Sequence, residues 1–329
     1  MTCACHLPFD SIKIDSFGNV YNCCYQKTPI GNILETSIFD IFNNNLNNEI
    51  RLNLLKNSFH NVCKETKTCP VILNKNKNVN VKICNFPINI EIELPNFSCN
   101  IGGKSPSPKT ACIMCPRSSP DFKPQTEDLT LKILDKIKPF LKNILTLKIT
   151  GLAEPFYNNN VFKIFKYLKI DKSCKIKFFI ITNATLLNKN ISRKLLSYTD
   201  NLDLTFSLDA GTTETYIKIR KFKNFKRVIE NIKYFNEIKP KTVTTNINCN
   251  LNLLNIHEYS EIINLCKYTL TDNLVFRPTI EDFNIAHLKS ISLKNIDFKN
   301  LKLLETQMKT LATTKNVNLK FIVPLSCGM

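Results

Sequence analysis

The sequence has no apolar run long enough to span a membrane. Its first residues, MTCACHLPFD, lack the basic start and apolar core of a secretion signal. Those two absences predict a reducing, cytoplasmic setting and no membrane partner. In that setting the fourteen cysteines read as metal ligands and packed thiols, not disulfides. Histidine is scarce, with four in all, and only His60 falls near other candidate ligands; His257 and His287 read as surface or cap residues. No Ser-His-Asp order, P-loop or HExxH is present, so the hydrolase, nucleotide-loop and zinc-protease readings that rest on them find no support. Acidic residues are outnumbered, 27 against 45 basic, for a net charge of +18. Lysine and asparagine are spread over helices and loops alike, which is a solvated surface, and no Arg-rich tract interleaves with aromatics. A nucleic-acid partner therefore ranks as the minor alternative.

What the sequence does have is CNIGGKSPSPKTACIMCPR, residues Cys99 to Arg117. In INIEIELPNFS just before it, Ile88, Ile90, Ile92 and Leu94 alternate with polar residues, the period of a strand. Cys99 thus lies just past a strand end, where βα barrels build their sites. Gly102, Gly103, Pro106 and Pro108 let the chain turn back and bring Cys99, Cys112 and Cys115 together. Three thiolates are an incomplete set for structural zinc and suit an iron–sulfur cubane with one open iron. The cysteines alone leave a cysteine-rich loop, or zinc with a distant fourth ligand, equally open.

After Arg117, helix and strand patterns alternate. LTLKILDKIKPFL places Leu131, Leu134 and Ile137 at helical spacing, and ILTLKITG reads as a strand. Strands KIKFFIITNA, LDLTFSLDA, VTTNINCNL and NLVFRPTI follow, each separated by a helical stretch, with VNLKFIVPL as an extra strand at the end. The pattern predicts an α/β fold with a parallel sheet, six βα units forming a partial (β/α)6 TIM-like barrel. Three strand ends carry polar or small residues: TGLAEPFYN with Gly151, Ala153 and Glu154; ITNATLLN with Asn183; and FSLDAGTTETYIKIR with Ser207, Asp209 and Arg220, where Thr212 or Thr213 caps the next helix.

Residues 1 to 85 have their own cysteines: Cys3, Cys5, Cys23, Cys24, Cys63, Cys69 and Cys84. Ile12 and Ile14, a turn at Asp15–Asn19, and Val20 and Tyr21 make a small hairpin with a cysteine near each end. Thr36 or Ser37 caps a short helix with Ile38, Ile41 and Phe42 on its apolar face. A zinc staple built from four of these cysteines stays open. Cys84, Cys174, Cys249 and Cys266 read as linker or packed thiols, and Cys327 as a distant candidate ligand.

Taken in order, these phrases resemble the radical S-adenosylmethionine (SAM) superfamily. CN…CIMCPR is similar to its CxxxCxxC cluster loop, with a first gap of twelve residues in place of three. GLAEP resembles the GGEP phrase, with Ala153 for Gly; TNA resembles TNG; and SLDAGTTETYIKIR resembles the S-D-A/G…ETY…IR phrase. The resemblance covers about residues 88 to 280 and implies a four-iron cluster on Cys99, Cys112 and Cys115. It also implies SAM held by Gly151, Ala153, Glu154, Asn183, Ser207, Asp209 and Arg220, with Glu154 meeting the SAM amine. The N-terminal segment is similar to a SPASM or twitch module: Cys5, Gly18 and Cys23 fit the family spacing, and GNILETSIFDIFNN resembles the GNI…S…EIW phrase. That implies one auxiliary four-iron cluster on Cys5, Cys23, Cys63 and Cys69, with His60 where a further cysteine is usual. The division expected is an auxiliary domain at 1–85 and a barrel at 86–329. This order, reversed from the usual one, reads as a permuted gene or a piece of a longer tandem protein. The implied activity is reductive SAM cleavage and hydrogen abstraction from a peptide or protein, with a nucleic acid or small-molecule metabolite as the alternative substrate, a non-catalytic iron–sulfur or zinc protein as the alternative reading, and flavodoxin or ferredoxin as electron donor.

Overall fold

The computed structural model describes residues 2–65, 69–73, 79–107, 109–279 and 288–322; Pro108, His287 and Cys327 lie outside them. Twelve strands appear in chain order among these residues. They are β1 (Thr2–Cys3), β2 (Ser11–Ile14), β3 (Asn19–Tyr21), β4 (Gly31–Asn32), β5 (Val79–Asn80) and β6 (Asn89–Glu93), then β7 (Thr146–Thr150), β8 (Lys177–Thr182), β9 (Leu202–Ser207), β10 (Thr244–Leu251), β11 (Asn273–Pro278) and β12 (Asn318–Phe321). β1 and β5 form a separate ribbon, and the other ten strands make one sheet in the order β12-β11-β10-β9-β8-β7-β6-β2-β3-β4. Every neighbouring pair from β12 to β2 is parallel. Helices Thr130–Ile137, Asn160–Tyr167, Lys189–Tyr198, Phe225–Ile238 and Tyr259–Tyr268 return the chain between successive strands. This is the expected α/β architecture, since parallel neighbours need such crossovers. The extra strand at the end is β12, parallel to β11.

The strand period of two sorts the side chains onto two faces. Leu147, Ile149, Phe178, Ile180, Leu204, Phe206, Ile247, Leu274 and Phe276 are fully buried under the helices. Burying each is worth about 1.5–3 kcal/mol. The opposite face is mostly polar, with Lys13, Glu91, Glu93, Lys148, Thr150, Asp203, Thr205, Asn246 and Asn248 beside the apolar Phe179, Ile181 and Val275. Polar inner residues do not fill the middle as a packed barrel core would. A cavity of about 550 Å3 remains there, lined by Ser11, Lys13, Cys23, Cys24, Tyr25, Glu91, Lys148 and Phe179 among others.

The N-terminal hairpin is built as the sequence predicts. β2 and β3 pair antiparallel through Lys13–Tyr21 and Ile14–Val20, and the Asp15 carboxylate closes the turn by accepting from the Phe17 and Asn19 amides at 2.9 Å. Ser37 caps the helix Ile38–Phe42, whose Ile38, Ile41 and Phe42 are buried. The hairpin is no appendage, however: β2 lies parallel to β6, and a single hydrophobic core runs across the 85/86 position. One expectation fails locally. In the helix Thr130–Ile137 the buried residues are Ile133, Leu134 and Ile137, while Leu131 is half exposed. The helix presents the 133/134/137 side to the sheet, which leaves Leu131 to a groove with Asn160 and Lys163.

Candidate functional site

The loop after β6 carries the three cysteines, and two glycines shape its start: Gly102 has φ +82° and Gly103 φ +60°. Arg117 is almost completely buried and holds the loop from inside, donating from its guanidinium to the Ile101 carbonyl at 2.7 Å and to the Gly103 carbonyl. A tight turn joins Cys112 and Cys115, whose amide donates to the Cys112 carbonyl at 3.0 Å. The loop is tied to the helix Thr213–Arg220 by the Ile113 amide on the Ile219 carbonyl at 2.9 Å, and the Arg220 guanidinium lies 4.0 Å from the Cys112 sulfur. Burial pushes the Cys99 thiol up to about 12 and the Cys115 thiol to about 11, and raises Cys112, against the pull of Arg117 and Arg220. Thiols raised in this way ionise only when a bound cation replaces the lost hydration. The Cys112 sulfur is close enough to act electrostatically on both Cys99 and Cys115. Among the described residues no three His, Cys, Asp or Glu side chains close around a single-ion position.

The strand ends converge on this loop. Gly151 has φ +108°, and a Cβ there would come within 3.1 Å of the Leu94 amide nitrogen and the Glu93 side chain, so its smallness serves the chain's own close approach. Glu154 is buried, and its amide donates to the Ser98 carbonyl beside Cys99 at 2.8 Å. Its carboxylate accepts from the Thr182 hydroxyl at 2.6 Å and from the Asn183 and Phe156 amides at 2.7 and 3.3 Å. Three of about four acceptor positions are thereby used by the protein itself. Burial lifts the Glu154 carboxyl to about 7, with Thr182 and Asn183 pulling the other way. Ala153 is half-buried. Asn183 bridges to the cysteine loop by donating to Asn100 at 3.1 Å, and accepts from Thr185.

At the end of β9, the Ser207 hydroxyl has no protein partner among the described residues, and Asp209 is buried. Asp209 accepts the Asn250 amide at 2.7 Å and forms an ion pair with Arg220. Burial works against the Arg220 charge, but Asp209 and Cys112 more than offset it. The intervening helix is placed by Thr212, which caps it through the Thr215 amide, and by Glu258, which accepts the Thr212 hydroxyl at 2.6 Å. Tyr216 on this helix is fully buried, and its hydroxyl and the Arg220 Nε have no partner among the described residues. Both groups stand in the field of Cys112. Sequence reasoning passed over Arg117, Thr182 and Tyr216. Arg117 and Tyr216 sat inside the quoted phrases, but only burial reveals what they hold.

The structure brings the four N-terminal cysteines together. Cys5, Cys23, Cys63 and Cys69 line one small cavity with Phe59 and Ile72. Burial pushes Cys5 and Cys23 up to about 12 and Cys63 to about 11, and Cys5 feels the other three sulfurs. Glu65 ties the segment bearing Cys63 to the hairpin loop by accepting the Thr28 amide at 2.9 Å. Cys24 instead lines the cavity over the sheet, and Cys3 is buried with its thiol on the Cys5 carbonyl at 3.0 Å. His60 faces Glu49 at 3.7 Å, and His257 is exposed. Cys249 and Cys266 are packed thiols.

Comparison with known proteins meets this geometry. Residues 106–266 match the Radical SAM superfamily model, a span that includes Cys112, Cys115, Glu154, Asn183, Asp209 and Arg220. Residues 3–70 match SPASM, the iron–sulfur cluster-binding domain, a span that includes Cys5, Cys23, Cys63 and Cys69. The chain carries a radical SAM domain with a SPASM domain ahead of it, and the radical SAM superfamily is a superfamily of enzymes. These domains imply iron–sulfur clusters and SAM as cofactors. An uncharacterised protein of Methanocaldococcus jannaschii, MJ0907, is 27% identical over 210 residues, 58% of this chain and 70% of that one. Streptococcus suis SuiB bound to precursor peptide SuiA superposes with a TM-score of 0.51 at 22% identity, over 72% of this chain and 48% of the other. SuiB bound to S-adenosylmethionine superposes with a TM-score of 0.50 at 19% identity, over 94% and 70%. At these identities the likeness is one of fold, and this chain spans about half the length of the peptide-bound SuiB chain. Among the described residues no helix is long and apolar enough to cross a membrane.

Proposed function

We propose that this chain reductively cleaves SAM and uses the resulting radical to modify a peptide or protein. The observation that carries the reading is the loop after β6. It holds three half-buried thiols beside an Arg220 guanidinium and a Tyr216 hydroxyl that have donors left over. That donor set fits a cluster with one open iron, since three thiolates hold three of its corners. When bound, the reduced cluster supplies the electron that splits SAM into methionine and a 5′-deoxyadenosyl radical.

The chain's own residues do the positioning. Cys99, Cys112 and Cys115 hold the cluster, and Arg117 sets the loop's shape through its two carbonyls. Arg220, braced by Asp209, presents its guanidinium where a SAM carboxylate can meet it. Glu154, through Thr182, Asn183 and Ser98, fixes Gly151–Glu154 against the cysteine loop and keeps one carboxylate lone pair free, which would meet the SAM amine. Ser207 and Asn183 offer polar contacts at neighbouring strand ends. The helices over the outer face exclude water from the sheet. Cys5, Cys23, Cys63 and Cys69, which line one cavity, are the ligands of one auxiliary cluster, on an auxiliary unit (1–85) that shares its sheet with the barrel unit (86–329). Flavodoxin or ferredoxin supplies the electron.

The test is anaerobic reconstitution with iron and sulfide, reduction with dithionite, and chromatography for 5′-deoxyadenosine. Wild type forms it and Cys112→Ala does not. Wild type loaded with about eight irons, two cubanes, that yields no 5′-deoxyadenosine would sink the proposal.

A further inference from the structure

Two lysines on the inner sheet face are paired with carboxylates. Lys13 on β2 lies 2.7 Å from Glu93 on β6, and Lys148 on β7 lies 2.7 Å from Glu91 on β6. Neither lysine has charge to spare for an incoming molecule. Arg277, near the C-terminal end of β11, differs. Its Nε donates to the Asn248 side chain at 2.9 Å, and no carboxylate among the described residues pairs with it. A guanidinium has five N–H donors, so the rest of the Arg277 fork has no protein partner among the described residues. Asp209, the carboxylate whose field reaches it, is committed to Arg220. Burial works against the Arg277 charge, the expected cost of holding a cation there without a counter-ion.

Its position connects the two cysteine sites. Arg277 is in register with Asn250 on β10, whose amide binds Asp209 at the candidate SAM site. From the other side its charge acts on Tyr25 and Cys24, which line the cavity of about 550 Å3. Tyr25 also lines the cavity that holds Cys5, Cys23, Cys63 and Cys69, and its hydroxyl makes no hydrogen bond among the described residues. A free planar fork thus stands within electrostatic reach of a free phenol that lines both cavities.

We propose that Arg277 anchors a carboxylate of the substrate, and that the substrate is an acidic peptide segment laid along the inner face between the two cysteine sites. The proposal rests on the peptide-modification reading and adds the substrate's chemistry. A guanidinium fork matches a carboxylate through two parallel N–H···O bonds, which a lysine cannot reproduce. The Tyr25 hydroxyl adds a third donor, and the net charge of +18 draws an acidic chain toward the protein.

The experiment uses reconstituted full-length protein with SAM and a fluorescein-labelled probe, acetyl-Gly-Ala-Glu-Ala-Gly-amide, its Glu-to-Gln counterpart, and a single-stranded oligonucleotide. Fluorescence anisotropy reads affinity, and circular dichroism and iron content confirm that each variant is folded and loaded. The Glu probe binds wild type, binds Arg277→Gln about tenfold more weakly or worse, and is partly restored in Arg277→Lys. The Gln probe binds all three weakly. Tyr25→Phe weakens the Glu probe about two- to fivefold and reads the same pocket with the arginine in place. Equal binding of the Glu and Gln probes, an Arg277→Gln variant that binds the Glu probe like wild type, or no binding of the Glu probe overturns the anchor. So does oligonucleotide binding that depends on Arg277, which would make the ligand a nucleic acid. 5′-Deoxyadenosine formation without Glu-probe binding defeats the anchor alone, and Glu-probe binding without 5′-deoxyadenosine defeats the catalytic reading alone.

Discussion

Replacing Glu154 by alanine separates two roles for the same carboxylate. In the structure it accepts two backbone amides, from Asn183 and Phe156, and the Thr182 hydroxyl, all in a buried setting. The hydroxyl can turn elsewhere, but the two amides cannot. Leaving each unsatisfied costs roughly 1–3 kcal/mol, so Glu154→Ala is expected to destabilise the protein by roughly 2–6 kcal/mol. For a chain of 329 residues, an unfolding entropy of about 2.1 cal/mol/K per residue turns that into a melting shift of about 3–9 °C. A carboxylate that only met the SAM ammonium would leave the melting point alone and cost roughly 1.5–3 kcal/mol of SAM affinity, about ten- to hundredfold. Differential scanning fluorimetry of the metal-free protein and calorimetric titration of the loaded protein with SAM read the two effects. An unchanged melting point with weakened SAM binding would refute the bracing role. The pH dependence gives a second reading. Burial raises the folded Glu154 carboxyl from 4.5 to about 7, so the folded state keeps a proton that the unfolded chain releases between those values. The stability this group contributes is full below about pH 4.5 and lost as pH rises through about 7. The stability of wild type relative to Glu154→Gln should therefore fall across that window, and a rise would contradict the assignment.

Two further outcomes test the cysteine sites. Cys23→Ala combined with Cys69→Ala should lower anaerobic iron from about eight to about four per chain and leave a SAM-responsive spectrum. About eight irons retained would exclude these ligands, and loss of one zinc in their place would establish a zinc staple. Arg117→Ala removes two charge-assisted bonds that shape the first cysteine loop, each worth roughly 1.5–3 kcal/mol. Iron at the SAM site should fall by half or more while the auxiliary iron stays, and full loading with an unchanged melting point would mean that the loop does not need Arg117.

Local physics made much of this protein readable from its sequence. The alternation of Ile90, Ile92 and Leu94 marks β6 because a strand's side chains must alternate, and all three are buried. Ser37 and Thr212 cap their helices because an N-cap needs only a nearby oxygen. The phrases around Cys99, Cys112 and Cys115, Glu154, Asn183, Asp209 and Arg220 stood out because site residues cluster on short loops after strands. Among seven N-terminal cysteines, resemblance to the SPASM module pointed to Cys5, Cys23, Cys63 and Cys69, and the fold gathers them into one cavity.

Tertiary structure decided the rest, since it depends on which distant elements meet. Leu131 has the right helical spacing, yet it faces out because the sheet takes the neighbouring stripe of the helix. Glu154 braces a loop because Thr182 and Asn183, at the end of the next strand, reach it first. β2 joins β6 as a parallel neighbour across 78 positions of sequence, as the Ser11–Asn89 pairing shows. Arg277 acquires its meaning only when the fold brings it within electrostatic reach of Tyr25 from the other end of the chain. A repeat of two or 3.6 residues can be read along a chain because backbone geometry imposes it. Whether a buried charge faces a partner or an opening is set by packing, and packing joins residues that the sequence keeps far apart.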